Sequence, residues 1–123
     1  MKWSFSGNLP VYQQIMDHIQ SAVITGEFTP GEKIPSVRDM AMEARVNPNT
    51  MQHALHELED TGLLIARGTS GRFVTEDPGI LEAVRAKRLR ELTARCLDQY
   101  AALGVSAQSA AQMLLEHGTQ KEE

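Results

Sequence analysis

From Pro10 onward, apolar residues recur every three to four positions: Val11, Ile15, Ile19, Ala22 and Val23. That spacing lines one side of an amphipathic helix. Pro10 suits a first helical position, and Gly26 suits the residue just past the last turn. Thr29-Pro30-Gly31 then reads as a turn. A second, shorter stripe follows in Val37, Met40, Ala41 and Ala44. Ser36 precedes it with Asp39 three residues on, an acidic variant of the capping box. Only Arg45-Val46-Asn47 separates this stripe from the next, Met51, Ala54, Leu55 and Leu58. Asn47 is a good N-cap, Pro48 a good first residue, and Val46 with Met51 is placed as a hydrophobic staple. Gly62 ends this third helix. Two short helices joined by a tight turn make a helix-turn-helix.

The period then changes. Leu63–Arg67 and Arg72–Thr75 are short β-prone runs around Gly68-Thr69-Ser70-Gly71, which predicts a hairpin, or wing. Asp77 can cap a long helix to about Leu103, with Leu81, Leu89, Leu92, Cys96, Tyr100 and Leu103 along one side. Gly104 stops it, and Ser106 caps a last helix carrying Ala107, Ala110, Ala111 and Leu114. The tail from Gly118 reads as frayed. The fold class expected is mainly α with a small β-hairpin wing. A winged helix-turn-helix domain occupies residues 9–77, and a two-helix C-terminal element residues 78–118. Two helices of this size cannot bury their own stripe, so pairing with a second copy as a homodimer is expected. Its interface would hold Leu81, Leu89, Leu92, Cys96, Tyr100, Leu103, Ala110 and Leu114.

Composition narrows the chemistry. Among the 123 residues are three Phe, two Tyr and one Trp, so the core must be built from Leu, Ile, Val, Met and Ala. The single Cys96 excludes an intramolecular disulfide and a Cys-based zinc site, and reads as a small buried apolar residue. His53 and His56, three apart, could share a metal ion on a helix, but no third ligand pattern is near. No cofactor and no metal are expected. No apolar run reaches the length of a signal peptide or a membrane span, which points to a cytoplasmic protein with no membrane partner.

Net charge speaks against a nucleic-acid partner. The chain carries a net of -4, and up to Gly79 it has 6 basic and 10 acidic residues. The arrangement of charge outweighs its sum, because a Debye length of about 8 Å lets one face differ from another. Off the buried stripe of the third helix lie Asn49, Gln52, His53 and His56. Asn and Gln match the major-groove edge of adenine, and His can donate to bases or phosphates. Asn47, Asn49 and Thr50 crowd the N-terminal turn, whose free N–H groups favour phosphate. Glu57, Glu59 and Asp60 come only in the second half, away from the expected groove. A merely solvated polar face is the plain alternative. Arg38 suits a phosphate contact or a surface ion pair. Arg67 and Arg72 flank the wing tip, where Gly68 and Gly71 allow close backbone approach and also permit the turn. Arg85, Lys87, Arg88 and Arg90 form a basic stretch that faces solvent, pairs with a partner chain's acids, or touches DNA.

The run IPSVRDMAMEARVNPNTMQHALHELEDTGLLIARGTSGRFV resembles the winged helix of the GntR family of transcription regulators. The shared features are Pro-Ser-x-Arg, a Thr-containing recognition helix, Leu-x-x-Gly-Leu and a Gly-rich wing ending in Phe-Val. Asn47-Pro48-Asn49-Thr50 and the short C-terminal part resemble the YtrA-like branch. The resemblance covers about residues 9–77 and implies a sequence-specific DNA-binding regulator. On that footing it is a repressor, acting as a homodimer on double-stranded operator DNA with an inverted repeat. It implies that Arg38, Asn47, Asn49, Thr50, Gln52, Arg67 and Gly68 approach DNA, a set extended here with Ser36, His53, His56, Thr69 and Arg72. The sequence departs at Thr69-Ser70, where many relatives carry basic residues. The stretch after Gly79 is too short for the large effector domain common in the family, and nothing in the residues identifies a small-molecule effector. No nucleophile motif or phosphate-cradling loop supports an enzyme. A winged helix used only for protein contacts is the remaining rival.

Overall fold

The computed structural model describes residues 1–122. Helix α1 spans Val11–Ile24, α2 Val37–Ala44 and α3 Pro48–Asp60. A hairpin follows: β1 (Leu64–Ala66), a 3-10 turn over Gly68–Ser70, and β2 (Arg72–Val74). Helices α4 (Pro78–Ala102) and α5 (Ala107–Glu122) complete the order. The chain divides into two compact units, Met1–Arg85 and the residues from Ala86 onward, so the division falls within α4.

The first unit is built on the three expected stripes. Ile15 and Ile19 of α1, Met40 of α2, and Met51, Leu55 and Leu58 of α3 are fully buried with Leu63, Leu64 and Val74. Helices α1 and α2 both pack on α3, which also packs on β1. Each such side chain contributes about 1.5–3 kcal/mol by leaving water. The helix starts follow the caps. Ser36 Oγ accepts the Asp39 N–H at 3.1 Å, and Asn47 Oδ1 accepts the Asn49 N–H at 2.7 Å. Pro10 is a correction: its ψ of 142° is extended, so it flanks α1 as N-cap and lends only its carbonyl, to Gln13 and Gln14.

Strands β1 and β2 pair antiparallel, with Leu64 opposite Val74 and Ala66 opposite Arg72. The segment between α1 and α2 is more than a turn. It lies along the free edge of β2, with an isolated bridge between Lys33 and Phe73. The Gly31 and Ile34 N–H groups donate to Val74 and Arg72 carbonyls at 2.9 and 3.0 Å, and Val74 N–H donates to the Glu32 carbonyl at 2.9 Å. An unpaired strand edge would otherwise leave these groups without partners.

Residues 1–9 form an arm within the first unit. Met1, Trp3 and Phe5 pack against its core. Gln14, buried on α1, holds the arm with three side-chain bonds. Its Oε1 accepts the Ser6 N–H at 2.8 Å, and its Nε2 donates to the Ser6 and Leu9 carbonyls at 2.8 and 2.7 Å. Trp3, Phe5 and His18 form an aromatic cluster with ring centroids 5.3–6.1 Å apart.

At the start of α4, Asp77 Oδ1 accepts the Gly79 N–H at 2.8 Å. Leu81, expected in the outward stripe, packs with Val84 against the first unit's core, so part of its apolar surface is already covered. In the second unit Gly104 takes a φ of 79° between the helices, and Ser106 Oγ accepts the Ser109 N–H at 3.2 Å. Leu89, Leu92, Leu103 and Leu114 are exposed, Leu103 by 83 %, while Ala110 is fully buried. Cys96, expected to be buried, is half-buried, as is Tyr100. The tail departs from expectation too: α5 continues helical past Gly118 to Glu122. Gln and Lys are good helix formers, and the Thr119 hydroxyl donates to the Leu115 carbonyl at 2.9 Å.

Candidate nucleic-acid interface

The turn from α2 to α3 sets the angle between two short helices. Arg45 ends α2 in the left-handed region at φ 59°, and the Val46 N–H reaches back to the Ala41 carbonyl at 3.0 Å. This αL ending satisfies carbonyls that the helix end would leave open. An arginine bears the cost that glycine would avoid there. Three residues later Pro48 begins α3.

Exposed on α3 are Asn49, Gln52, His53 and His56, with Thr50 half-buried at the first turn. Gln52 and the Asn49 side chain make no intramolecular hydrogen bond among the described contacts and present paired donors and acceptors outward. Ser36 and Asn47, by contrast, have side-chain oxygens engaged as caps. Arg38, at the second position of α2, is exposed with no ion-pair partner among the described residues.

The expected separation of acids from this face is incomplete. His53 Nε2 lies 3.7 Å from Glu57 Oε1, and His56 Nδ1 lies 3.7 Å from Glu59 Oε2, each an ion pair when the imidazole is protonated. One helical turn carries a long Glu side chain back to the imidazole before it. The His53 ring also rests on Tyr12 of α1, centroids 4.2 Å apart. Among the described residues no group of three or more His, Cys, Asp or Glu is placed to hold a metal ion.

At the wing, Arg67 and Thr69 are exposed. The Arg67 guanidinium carbon lies 4.7 Å over the Phe73 ring, a cation–π contact that holds the charge at the hairpin's surface. Gly68 and Gly71 have φ of 55° and 108°, and the Arg67 N–H closes the tip on the Gly71 carbonyl at 2.9 Å. A Cβ on Gly71 would come within 3.0 Å of Lys33 Cε. Arg72, expected to approach DNA, is engaged within the fold. Its guanidinium turns inward to a hydrogen-bonded ion pair with Glu59 on α3, both side chains about one-fifth exposed. Tyr12 is thus part of this surface, and so is Glu59, whose place in the second half of α3 pointed away from it. Tyr12 gave one signal, an aromatic one position off the apolar stripe of α1.

On α4, Lys87 pairs with Glu91 at 4.0 Å, and Arg85 with Glu82 at 3.8 Å nearer the helix start. These are surface pairs along one helix, worth little individually. Among the described residues no helix is long and apolar enough to cross a membrane.

Known proteins align with this geometry. Residues 11–74 match the family described as "Bacterial regulatory proteins, gntR family". The chain is 36% identical over 102 residues to the uncharacterized HTH-type transcriptional regulator YhcF of Bacillus subtilis, covering 83% of this chain and 84% of that one. It is 35% identical over 68 residues to the HTH-type transcriptional repressor YtrA of the same organism, covering 55% and 52%. Among solved structures, a GntR family transcriptional regulator from Listeria monocytogenes superposes with a TM-score of 0.81 at 29% identity. That superposition covers 91% of this chain and 98% of that one. The DNA-binding domain of AraR in complex with operator ORX1 superposes with a TM-score of 0.56 at 29% identity, over 61% of this chain and 96% of that one. The helix-turn-helix, the hairpin behind it and these matches agree: the chain belongs to the gntR family of bacterial regulatory proteins, DNA-binding transcription regulators rather than enzymes.

Proposed function

We propose that the protein is a repressor acting in the cytoplasm as a homodimer on an inverted-repeat operator. Residues 9–77 hold DNA and residues 78–118 join the two copies. The observation that carries the reading is α3, whose first turns leave Asn49 and Gln52 exposed, together with an exposed Arg38 on α2 that has no ion-pair partner among the described residues. An amide can read an adenine edge, and a free guanidinium can hold a phosphate. Thr50, His53, His56 and the wing residues Arg67, Gly68 and Thr69 complete the surface. The exposed Leu89, Leu92, Leu103 and Leu114 support pairing with a second copy, because apolar surface so arranged gains by leaving water. A two-fold dimer calls for half-sites about 10 base pairs apart or further.

Two substitutions test the interface against a duplex selected from a random pool and its scrambled version. Gln52→Ala costs about 1–3 kcal/mol on the selected site and relaxes the choice at one base position. Arg38→Ala weakens all duplexes alike and lowers the salt slope by about 1 per half-site. If neither change affects DNA binding, α3 is not the reading element, and a winged helix serving protein contacts takes its place. Leu92→Glu tests assembly: sedimentation should show a monomer, and an unaltered dimer would move the interface elsewhere.

A further inference from the structure

Glu59 sits where the last turn of α3 meets the wing. One carboxylate oxygen takes the Arg72 Nε–H, with side chains 21% and 18% exposed. The other lies 3.7 Å from His56 Nδ1. Arg72 opens β2 and stands opposite Ala66, the residue before Arg67. The tip from Arg67 to Gly71 is closed by the 2.9 Å bond between those two residues. Glu59 therefore grips the base of the wing directly behind its exposed arginine. A partly buried, hydrogen-bonded ion pair fixes orientation more than it adds stability, since desolvation offsets its attraction. It also keeps one cation away from phosphate, where any duplex would attract it.

We propose that Glu59 is a positioning residue for DNA recognition, locking the wing to α3 and withholding Arg72 from indiscriminate phosphate contact. It thereby sets discrimination between sequences more than overall affinity. The proposal rests on the reading of α3 and the wing as DNA-facing elements.

Glu59→Gln in the full chain keeps the side chain's size and removes its charge. In the free protein, the Gly68 and Gly71 amide resonances should broaden and exchange faster with solvent. Against the scrambled duplex, affinity should rise and the salt slope steepen by about 1 per half-site, as the released Arg72 finds phosphate. The preference for the selected duplex should fall about tenfold. Glu59→Gln combined with Arg72→Gln should return scrambled-duplex affinity to the parent level or below, whereas a merely structural role predicts no such reversal. Should Glu59→Gln alone fold poorly, Arg72→Gln decides: it should loosen the wing amides yet leave the scrambled-duplex slope no steeper than the parent's. Unchanged wing amides, or an unchanged slope and preference, would overturn the proposal. If Gln52→Ala loses discrimination while Glu59→Gln does not, only this proposal fails. If Gln52→Ala also loses none, the reading of α3 falls and takes this one with it.

Discussion

Replacing Gln14 with alanine separates the N-terminal arm from the rest of the fold. The amide makes three hydrogen bonds of 2.7–2.8 Å to the Ser6 and Leu9 backbone. Each such bond is worth about 0.5–1.5 kcal/mol net of solvation. Ser6 and Leu9 are exposed and recover water when the amide goes, so the loss falls below the full sum. A cost of about 1–2 kcal/mol follows, or roughly 4–16 °C in Tm for a unit of this size. The assay has a built-in reporter, because the protein's single tryptophan is Trp3, within the arm. Its ring packs 5.3 Å from His18 and 6.1 Å from Phe5, and its Nε1–H donates to Glu43 at 3.3 Å. Far-ultraviolet circular dichroism follows the helices instead. In the parent the two signals should change together on heating. In Gln14→Ala, the tryptophan emission should shift to the red at temperatures where the helices persist. Coincident transitions with a cost under about 0.3 kcal/mol would refute the reasoning, since a bond worth less than the usual range cannot dock the arm.

Two further changes probe the same unit. Gly62→Ala places an L side chain at φ 84° with its Cβ 3.2 Å from Ile80 Cδ1, and should cost about 1–2 kcal/mol in urea unfolding; an unchanged midpoint would mean that the turn after α3 relaxes freely. The Met1 amine is held above its ordinary pKa by hydrogen bonds and attraction from Glu27 and then Glu43. Its charged form is favoured by folding, so this contribution is full below about pH 8 and lost as pH rises through the raised value. Melting curves of the parent and an N-acetylated form should converge above that value, and a gap independent of pH would refute the assignment.

What the sequence revealed were features of short range. Ser36, Asn47, Asp77 and Ser106 act on backbone groups two or three residues away, and each makes the expected capping bond. The stripes of α1, α2 and α3 are equally local, because helical periodicity is written in consecutive residues. Long-range features left no such trace. Gln14 holds backbone atoms of Ser6 and Leu9, and backbone carries no residue code. The pairing of Glu59 with Arg72 depends on how the hairpin folds back over 13 residues. Arg45 at positive φ was hidden for another reason: glycine usually marks that conformation, and here an arginine adopts it. At the candidate interface, the polar positions of α3 were legible as off-stripe residues. The direction of their neighbours' side chains was not, so the pairing of Arg72 with Glu59 left no trace in the sequence.

The same contacts resolve the conflict between an acidic chain and a polyanionic partner. A formal charge of -4 counts every carboxylate as though it faced the DNA. Glu59 is engaged by Arg72, and Glu27 and Glu43 lie against the Met1 amine. Glu57 Oε1 lies 3.7 Å from His53 Nε2 on the same helix. Meanwhile Arg38 has no ion-pair partner among the described residues, and the Arg67 charge sits on an aromatic face that leaves its N–H groups able to donate. Because screening confines these effects to about 8 Å, the field at the interface is set by these few side chains and not by the total. Each cation that meets a phosphate releases counterions from DNA, so an acidic balance of -4 favours weak non-specific binding. Under the proposed reading, affinity then rests on base contacts and shape, with Gln52 and the orientation of the wing at the centre of recognition.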